Sequence, residues 1–252
     1  MQLAVVKDYG ELSRRAARFV ARRLLEKPDI VLALPTGDTP KGMYKVLVRL
    51  YREGMVDFSQ ATAFNLDEYL GLPSDHPESF ASYMHRHLWE QVNLRKENVH
   101  IPQSLPENPE AECRRYEGLI EKAGGIDLAV LGLGENGHIA FNEPGTPFES
   151  RTHVAELSRE TREGEAARFG GLEGVPQRAI TMGVRTIMNA RELLLLVSGE
   201  EKAAVLSRAL EGPVTPEVPA SVLQLHPRLT VLADAAAAGS LPNLTETGSP
   251  PT

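Results

Sequence analysis

Ile30-Val31-Leu32-Ala33-Leu34 runs directly into Pro35-Thr36-Gly37-Asp38-Thr39-Pro40-Lys41-Gly42-Met43-Tyr44. Five consecutive apolar residues suit a strand buried on both faces, as in parallel sheets. Thr39 reads as an N-cap and Pro40 as a first helical residue, so a helix is expected from there to about Glu53. Strand, short glycine turn and helix thus follow one another within a few residues.

The same rhythm extends in both directions. Residues 2–6 read as a strand and 10–26 as a helix, with Leu12, Ala16, Phe19, Val20 and Leu24 at helical spacing. A strand at 61–66 precedes helices near 77–91 and 107–123. A strand at 126–132 ends in a glycine-rich stretch, and the irregular segment at about 145–177 offers no convincing strand. Then come a strand near 179–183, a short helix near 185–190, a strand at 193–197, a helix at 200–211 and a strand at 229–233. Such alternation predicts an α/β fold, a doubly wound and mostly parallel sheet with helices on both faces. No repeat or linker interrupts it, so one domain is expected over 1–238. The Gly-, Ser-, Pro- and Thr-rich stretch at 239–252 is expected to be a mobile tail.

Composition narrows the function. A formal charge of −7 on 252 residues argues against nucleic acid or an anionic membrane as partner, since both require basic surfaces. A small anion remains possible where a few cations or backbone N–H groups gather. The single cysteine, Cys113, excludes an intramolecular disulfide framework. His85 and His87 fall on different faces of a helical pattern, so no metal set is expected. Met1–Leu12 shows no signal-peptide pattern, and no apolar run approaches the ~20 residues of a membrane span. A cytoplasmic protein is expected.

In doubly wound sheets, ligands bind beyond the carboxyl ends of the strands. Polar loops follow Leu34, Leu66 and Leu131 there. Residues 35–40 offer free N–H groups and a helix N-terminus, which suit a phosphate, although an ordinary strand–helix turn reads the same way. Asp38 counts against the anion unless its carboxylate points away. In Asn65-Leu66-Asp67-Glu68-Tyr69, a carboxylate at the strand end could move a proton between adjacent carbons of a substrate; a capping or solvated acid pair is the alternative. In Gly132-Leu133-Gly134-Glu135-Asn136-Gly137-His138-Ile139-Ala140-Phe141-Asn142-Glu143, His138 has the right unperturbed proton affinity for acid–base work. Asn136 and Glu143 could flank its ring and fix its tautomer, or His138 could be a plain loop residue. Lys202, after Val197-Ser198-Gly199, opposes a helix dipole, an arrangement that a shared anion would offset; a solvated surface lysine is the alternative.

Together these segments resemble the glucosamine-6-phosphate deaminase family. PTGDTPKGMYKVL is similar to its PTGGTP loop, and FNLDEYLGLPSDHPESFASYMH to its N-[ML]-D-E-Y-x-G-L block. GLGENGHIAFNEPGTPFESRTH is similar to its G-x-G-x-[DN]-G-H-I-[AG]-F-N-E-P…SRT block. The Ala179–Gly183 segment, the SGEEKA helix start and the run at 223–226 also fit, in order, from about residue 1 to 235. The resemblance implies aldose–ketose isomerisation with loss of the C2 amine, without metal or organic cofactor. It implies that Asp67 moves the proton between C2 and C1. His138, supported by Glu143 and Asn136, would open the sugar ring. Thr36, Gly37, Asp38 and Thr39, with Lys202 and Arg168 (or the nearby Arg162), would hold the phosphate. A mobile lid is implied near 152–177.

Two departures stand out. Asn136 replaces an Asp of the best-known members, and Asp38 replaces a glycine. Where hexameric members hold an effector phosphate, this chain has His153 and Ala155, and it lacks their C-terminal extension. No such activation is therefore expected, and the chain reads as a monomer or small homo-oligomer. The rivals are 6-phosphogluconolactonase, which lacks the FNEPG and DEYLGL blocks, and a sugar-phosphate sensor, which would carry a DNA-binding helix absent here.

Overall fold

The computed structural model describes residues 1–241; most of the expected tail lies outside them. The chain runs β1 (Gln2–Val6), α1 (Tyr9–Glu26), β2 (Val31–Leu34), α2 (Asp38–Arg52), β3 (Thr62–Asn65) and β4 (Asp67–Tyr69). It continues with α3 (Phe80–His87), β5 (Val99–His100), α4 (Pro109–Lys122), β6 (Leu128–Leu131), β7 (His153–Glu156) and α5 (Arg159–Glu165). Last come β8 (Arg178–Thr181), α6 (Val184–Met188), β9 (Glu192–Val197), α7 (Ala203–Glu211) and β10 (Leu229–Asp234).

Seven strands form one sheet in the order β1-β10-β9-β6-β2-β3-β5, with every pairing parallel. The central strands have no polar face because both faces are covered. Leu32, Leu34, Val130, Leu194 and Leu196 pack with α1, α2 and α3. Their alternating neighbours Val31, Ala33, Leu131, Leu193 and Leu195 pack with α4, α6 and α7 on the other side. The two-residue side-chain period thus feeds two separate apolar layers. Helix starts are fixed by side chains: Asp8 accepts from the Glu11 N–H at 2.8 Å, and Asn108 from that of Ala111 at 2.8 Å.

Three expectations need correction. Helix α2 begins at Asp38, one residue before the expected Thr39 cap; Gly37 caps it with φ 103° and no side-chain bond. That left-handed conformation is open to glycine without a Cβ clash. Residues 153–156 do form a strand, within a segment expected to have none. Finally, the strand near 179–183 lies outside the parallel sheet. It is β8, the centre of a small antiparallel sheet β4-β8-β7, in which Thr181 pairs with both Asp67 and His153.

β2 leads outward through β3 and β5, whereas β6 leads the other way through β9 and β10. The order therefore reverses between β2 and β6, and a crevice opens beyond their carboxyl ends.

Leu195 is fully buried and Leu225 is 67% exposed. Leu195→Ala should cost about 2–5 kcal/mol and Leu225→Ala no more than about 0.5 kcal/mol. Urea unfolding measures both; equal midpoints would contradict burial of β9 between two layers.

Candidate active site

The crevice is a cleft of about 730 Å³, bounded by the loops after β2, β6 and β9, by β4 and by the α5 segment. Thr36, Gly37, Asp38, Thr39, Asp67, Asn136, His138, Arg168 and Lys202 all line it. Glu143 stands behind Asn136 and His138. The loops that the sequence singled out therefore meet in one place.

After β2, Gly37 turns the chain so that α2 starts at the cleft floor with its N-terminus open. The Asp38 carboxylate does not stand free beside that N-terminus. It accepts a bond from Lys41 Nζ at 2.6 Å and another from Arg168 at 2.6 Å. The Lys41 bond, with the charge of Arg168, holds the Asp38 carboxyl below the usual carboxylate range. Arg168 also lies 3.2 Å from Glu165. Arg162 turns elsewhere, donating to the Leu172 carbonyl at 3.0 Å. Of the two arginines, Arg168 is the one in the cleft.

At Leu66 the chain leaves the parallel sheet and enters β4. Asp67 is 6% exposed, and no described residue donates a hydrogen bond to its carboxylate. Burial, reinforced by the Glu68 charge, raises its pKa well above the ordinary value. Glu68 points away from the cleft, buried at 1% exposure. Its oxygens accept the N–H groups of Tyr69, Phe80 and Ala81 at 2.8, 3.1 and 2.9 Å. The adjacent acids are thus neither solvated nor equivalent. Tyr69 extends the wall, packing against Phe80, Phe141 and Phe169 with ring centroids 4.7–5.5 Å apart.

After β6, the His138 imidazole lies flat on Gly134. A Cβ at Gly134 would sit 2.3 Å from the His138 ring, so only glycine admits the ring there. Burial lowers the pKa of His138 against the opposing pull of Glu143, so the imidazole is neutral at neutral pH. Asn136 makes no bond to the ring. Its Nδ2 donates to Glu143 at 2.7 Å, and its Oδ1 accepts the His138 backbone N–H at 3.1 Å. Glu143 lies 3.8 Å from His138 Nδ1, beyond hydrogen-bond reach, and its other oxygen accepts the Ser158 N–H at 3.2 Å. Ser158 caps α5, so the carboxylate beside the histidine also anchors the segment expected to be a lid. Ala140, in the same loop, holds a left-handed φ of 50°, a local strain at the cleft wall.

Lys202 Nζ lies 3.5 Å from Glu135 across the mouth of the cleft. Its loop is set by Asp234, a residue the sequence reading passed over. The buried Asp234 accepts from Ser198 Oγ, from the Gly199 N–H at 3.2 Å and from the Ala237 N–H at 2.9 Å. An acidic residue directly after an apolar strand, at the ligand end of the sheet, was the available signal. Glu165 and Ser198, which also line the cleft, carried none.

Residues 7–231 match the family described as glucosamine-6-phosphate isomerases/6-phosphogluconolactonase. A glucosamine-6-phosphate deaminase of Thermoanaerobacter pseudethanolicus is 47% identical over 243 residues, 96% of each chain. One from Clostridium botulinum is 45% identical over 96% of this chain and 99% of its own. The solved structure of a monomeric glucosamine-6-phosphate deaminase superposes with a TM-score of 0.93 at 44% identity, covering 95% of this chain and 100% of that one. A 6-phosphogluconolactonase from Trypanosoma brucei, at 21% identity and a TM-score of 0.76, shares the fold. With its match over most of the sequence and relatives this similar along nearly their whole length, the chain belongs to the glucosamine-6-phosphate isomerase/6-phosphogluconolactonase family.

Proposed function

We infer that the chain converts D-glucosamine 6-phosphate and water to D-fructose 6-phosphate and ammonium. The observation that carries this reading is the meeting, in one cleft, of an unpaired buried carboxylate, a neutral imidazole and an open helix N-terminus flanked by cations. Deaminases 45–47% identical to it support the choice of substrate.

The chemistry follows from these groups. The phosphate sits on the N–H groups of residues 36–39, with Arg168 and Lys202 as counter-charges. Neutral His138 takes the proton of the anomeric hydroxyl and returns one to the ring oxygen, opening the ring to an aldehyde. Glu143 supports the imidazolium that forms between these steps, and Asn136 holds Glu143 in place. Asp67 then removes the C2 proton and delivers it to C1. A proton of the C2 ammonium passes to O1, so that the C1 carbonyl becomes an alcohol and the ammonium an iminium. Water adds at C2, the C–N bond breaks, and ammonium leaves with the ketose. A carboxylate with raised proton affinity suits the double task, since it must both take and give up the same proton. The segment at 152–177 acts as a lid, closing through Ser158 and Arg168.

The reading places the activity in amino-sugar catabolism, including N-acetylglucosamine degradation, in the cytoplasm. No described helix is long and apolar enough to cross a membrane. A monomer or small homo-oligomer without effector activation is expected, which light scattering would measure.

Incubating the purified protein with glucosamine 6-phosphate should release ammonium and fructose 6-phosphate in equal amounts; no ammonium above an enzyme-free control between pH 6 and 9 would sink the assignment. Asp67→Asn should lower kcat by about 10²–10⁴-fold with KM little changed. More than about a tenth of the parent rate would mean that another group is the base. Gly134→Ala forces the imidazole aside without removing any functional group, and kcat should fall by about 10²-fold. An unaltered rate would separate His138 from catalysis.

A further inference from the structure

Arg168 reaches from the α5 segment to a residue 130 positions earlier in the chain, at the start of α2. Both terminal nitrogens of its fork are held by carboxylates, one by Asp38 Oδ2 at 2.6 Å and the other by Glu165 Oε2 at 3.2 Å. A phosphate is bound best by the same planar fork. Glu165 lies three residues from Arg168 and travels with it, whereas Asp38 belongs to the loop whose N–H groups a phosphate would use. We propose that the Asp38 carboxylate is an internal competitor for the phosphate: it occupies Arg168 until a phosphate takes its place, and this exchange sets the affinity of the subsite. The proposal deepens the reading of residues 36–39 and Arg168 as the phosphate subsite and rests on it.

The backbone around Asp38 is fixed from two sides. Tyr9 of α1 donates its hydroxyl to the Asp38 carbonyl at 3.0 Å and accepts the Gly42 N–H at 2.8 Å. Gly42 permits this approach, since a Cβ there would overlap Ser13 Oγ. Tyr83 of α3 donates to the Gly37 carbonyl at 2.6 Å. The carboxylate therefore extends from a fixed point beside the open N-terminus of α2, where a negative charge is favoured. Lys41 holds its other oxygen at 2.6 Å. The Lys41 bond, with the charge of Arg168, keeps Asp38 ionised throughout the neutral range.

The Asp38 side chain is nevertheless 72% exposed. An ion pair this exposed is weak and exchangeable, so a phosphate can take the arginine from it. After the exchange Lys41 still keeps the carboxylate close, and its repulsion of the phosphate lowers the affinity. Asp38→Asn keeps the shape and the loop N–H groups but removes the charge. Inorganic phosphate should then bind about three- to tenfold more tightly. KM for glucosamine 6-phosphate should fall by a similar factor. The rate constant kcat should not rise, because a repulsion relieved equally in ground and transition states changes only uniform binding.

The test is titration calorimetry with inorganic phosphate for the parent, Asp38→Asn, Asp38→Glu and Glu160→Gln, beside KM and kcat for each. Asp38→Glu restores the charge within reach of Arg168 and should bind phosphate as the parent does. Glu160 lines the same cleft, but among the described residues the carboxylates paired with Arg168 are those of Asp38 and Glu165. Glu160→Gln therefore removes one negative charge without releasing the arginine. Tighter binding in Asp38→Asn, with Asp38→Glu like the parent and a smaller change in Glu160→Gln, supports the proposal. Unchanged or weaker binding in Asp38→Asn overturns it, and so does an equal gain in Asp38→Glu or Glu160→Gln. Phosphate bound by none of the four overturns it together with the subsite. Failure of the deaminase reading is distinguishable, because it shows as no ammonium from glucosamine 6-phosphate, while the calorimetry needs no turnover.

Discussion

The two halves of the cleft are joined at Thr181 and Met182. Thr181 pairs through the backbone with Asp67, and its hydroxyl accepts the Phe141 N–H at 3.0 Å. The Met182 N–H donates to the Leu66 carbonyl at 2.7 Å, and the Met182 carbonyl accepts from the Asn142 side chain at 2.8 Å. The strand of Asp67 and the loop of His138 are thereby held by the same two residues. Thr181 and Asn142 are fully buried, so the network cannot exchange these bonds for water, and breaking any one leaves a polar group unpaired. Since β7 pairs with the other edge of β8, the segment proposed as a lid takes its register from the same strand.

For the proposed substrate, this arrangement reconciles a net charge of −7 with an anionic ligand. The cations at the cleft are not free: Lys41 and Arg168 rest on Asp38, Arg168 also on Glu165, and Lys202 beside Glu135. Each carboxylate holds its cation at the cleft wall. Under the proposed function, an incoming phosphate would exchange one anionic partner of these cations for another. The uncharged part of the attraction, the N–H groups at the start of α2, needs no partner and is available throughout.

The parallel sheet was legible because its strands are continuous apolar runs, a pattern that only two-sided burial produces. The loops were legible because glycine, histidine and carboxylate directly after such runs are rare without a reason. The small antiparallel sheet was not legible. β4 is three residues long, and its sequence, Asp-Glu-Tyr, has the composition of a loop; β7, His-Val-Ala-Glu, is partly exposed and carries no clean alternation. Their strand character comes from pairing with β8, distant in sequence, which no local window contains. For the same reason Asn136 was read as a partner of the imidazole next to it in sequence. Its stronger partner is Glu143, seven residues on, because the turn folds the two carbon chains together. Thr39 was misread as a cap because Pro40 is tolerated throughout the first helical turn, where N–H groups lack partners anyway.

Burial acts in opposite senses on two kinds of titratable group in the cleft. A neutral base that becomes charged is penalised when it gains a proton, and a carboxylate when it loses one. Hence the imidazole of His138 is pushed down and the carboxyl of Asp67 up, each chiefly by loss of water. In water the two differ by ~2.6 pH units, 6.5 against 3.9, so a proton would rest overwhelmingly on the imidazole. In the cleft burial moves the two toward each other. In the proposed reaction, that convergence suits a cleft that must pass protons to and from an alcohol at one step and a carbon at the next. The packed wall of Tyr69, Phe80 and Phe141 contributes to that loss of water.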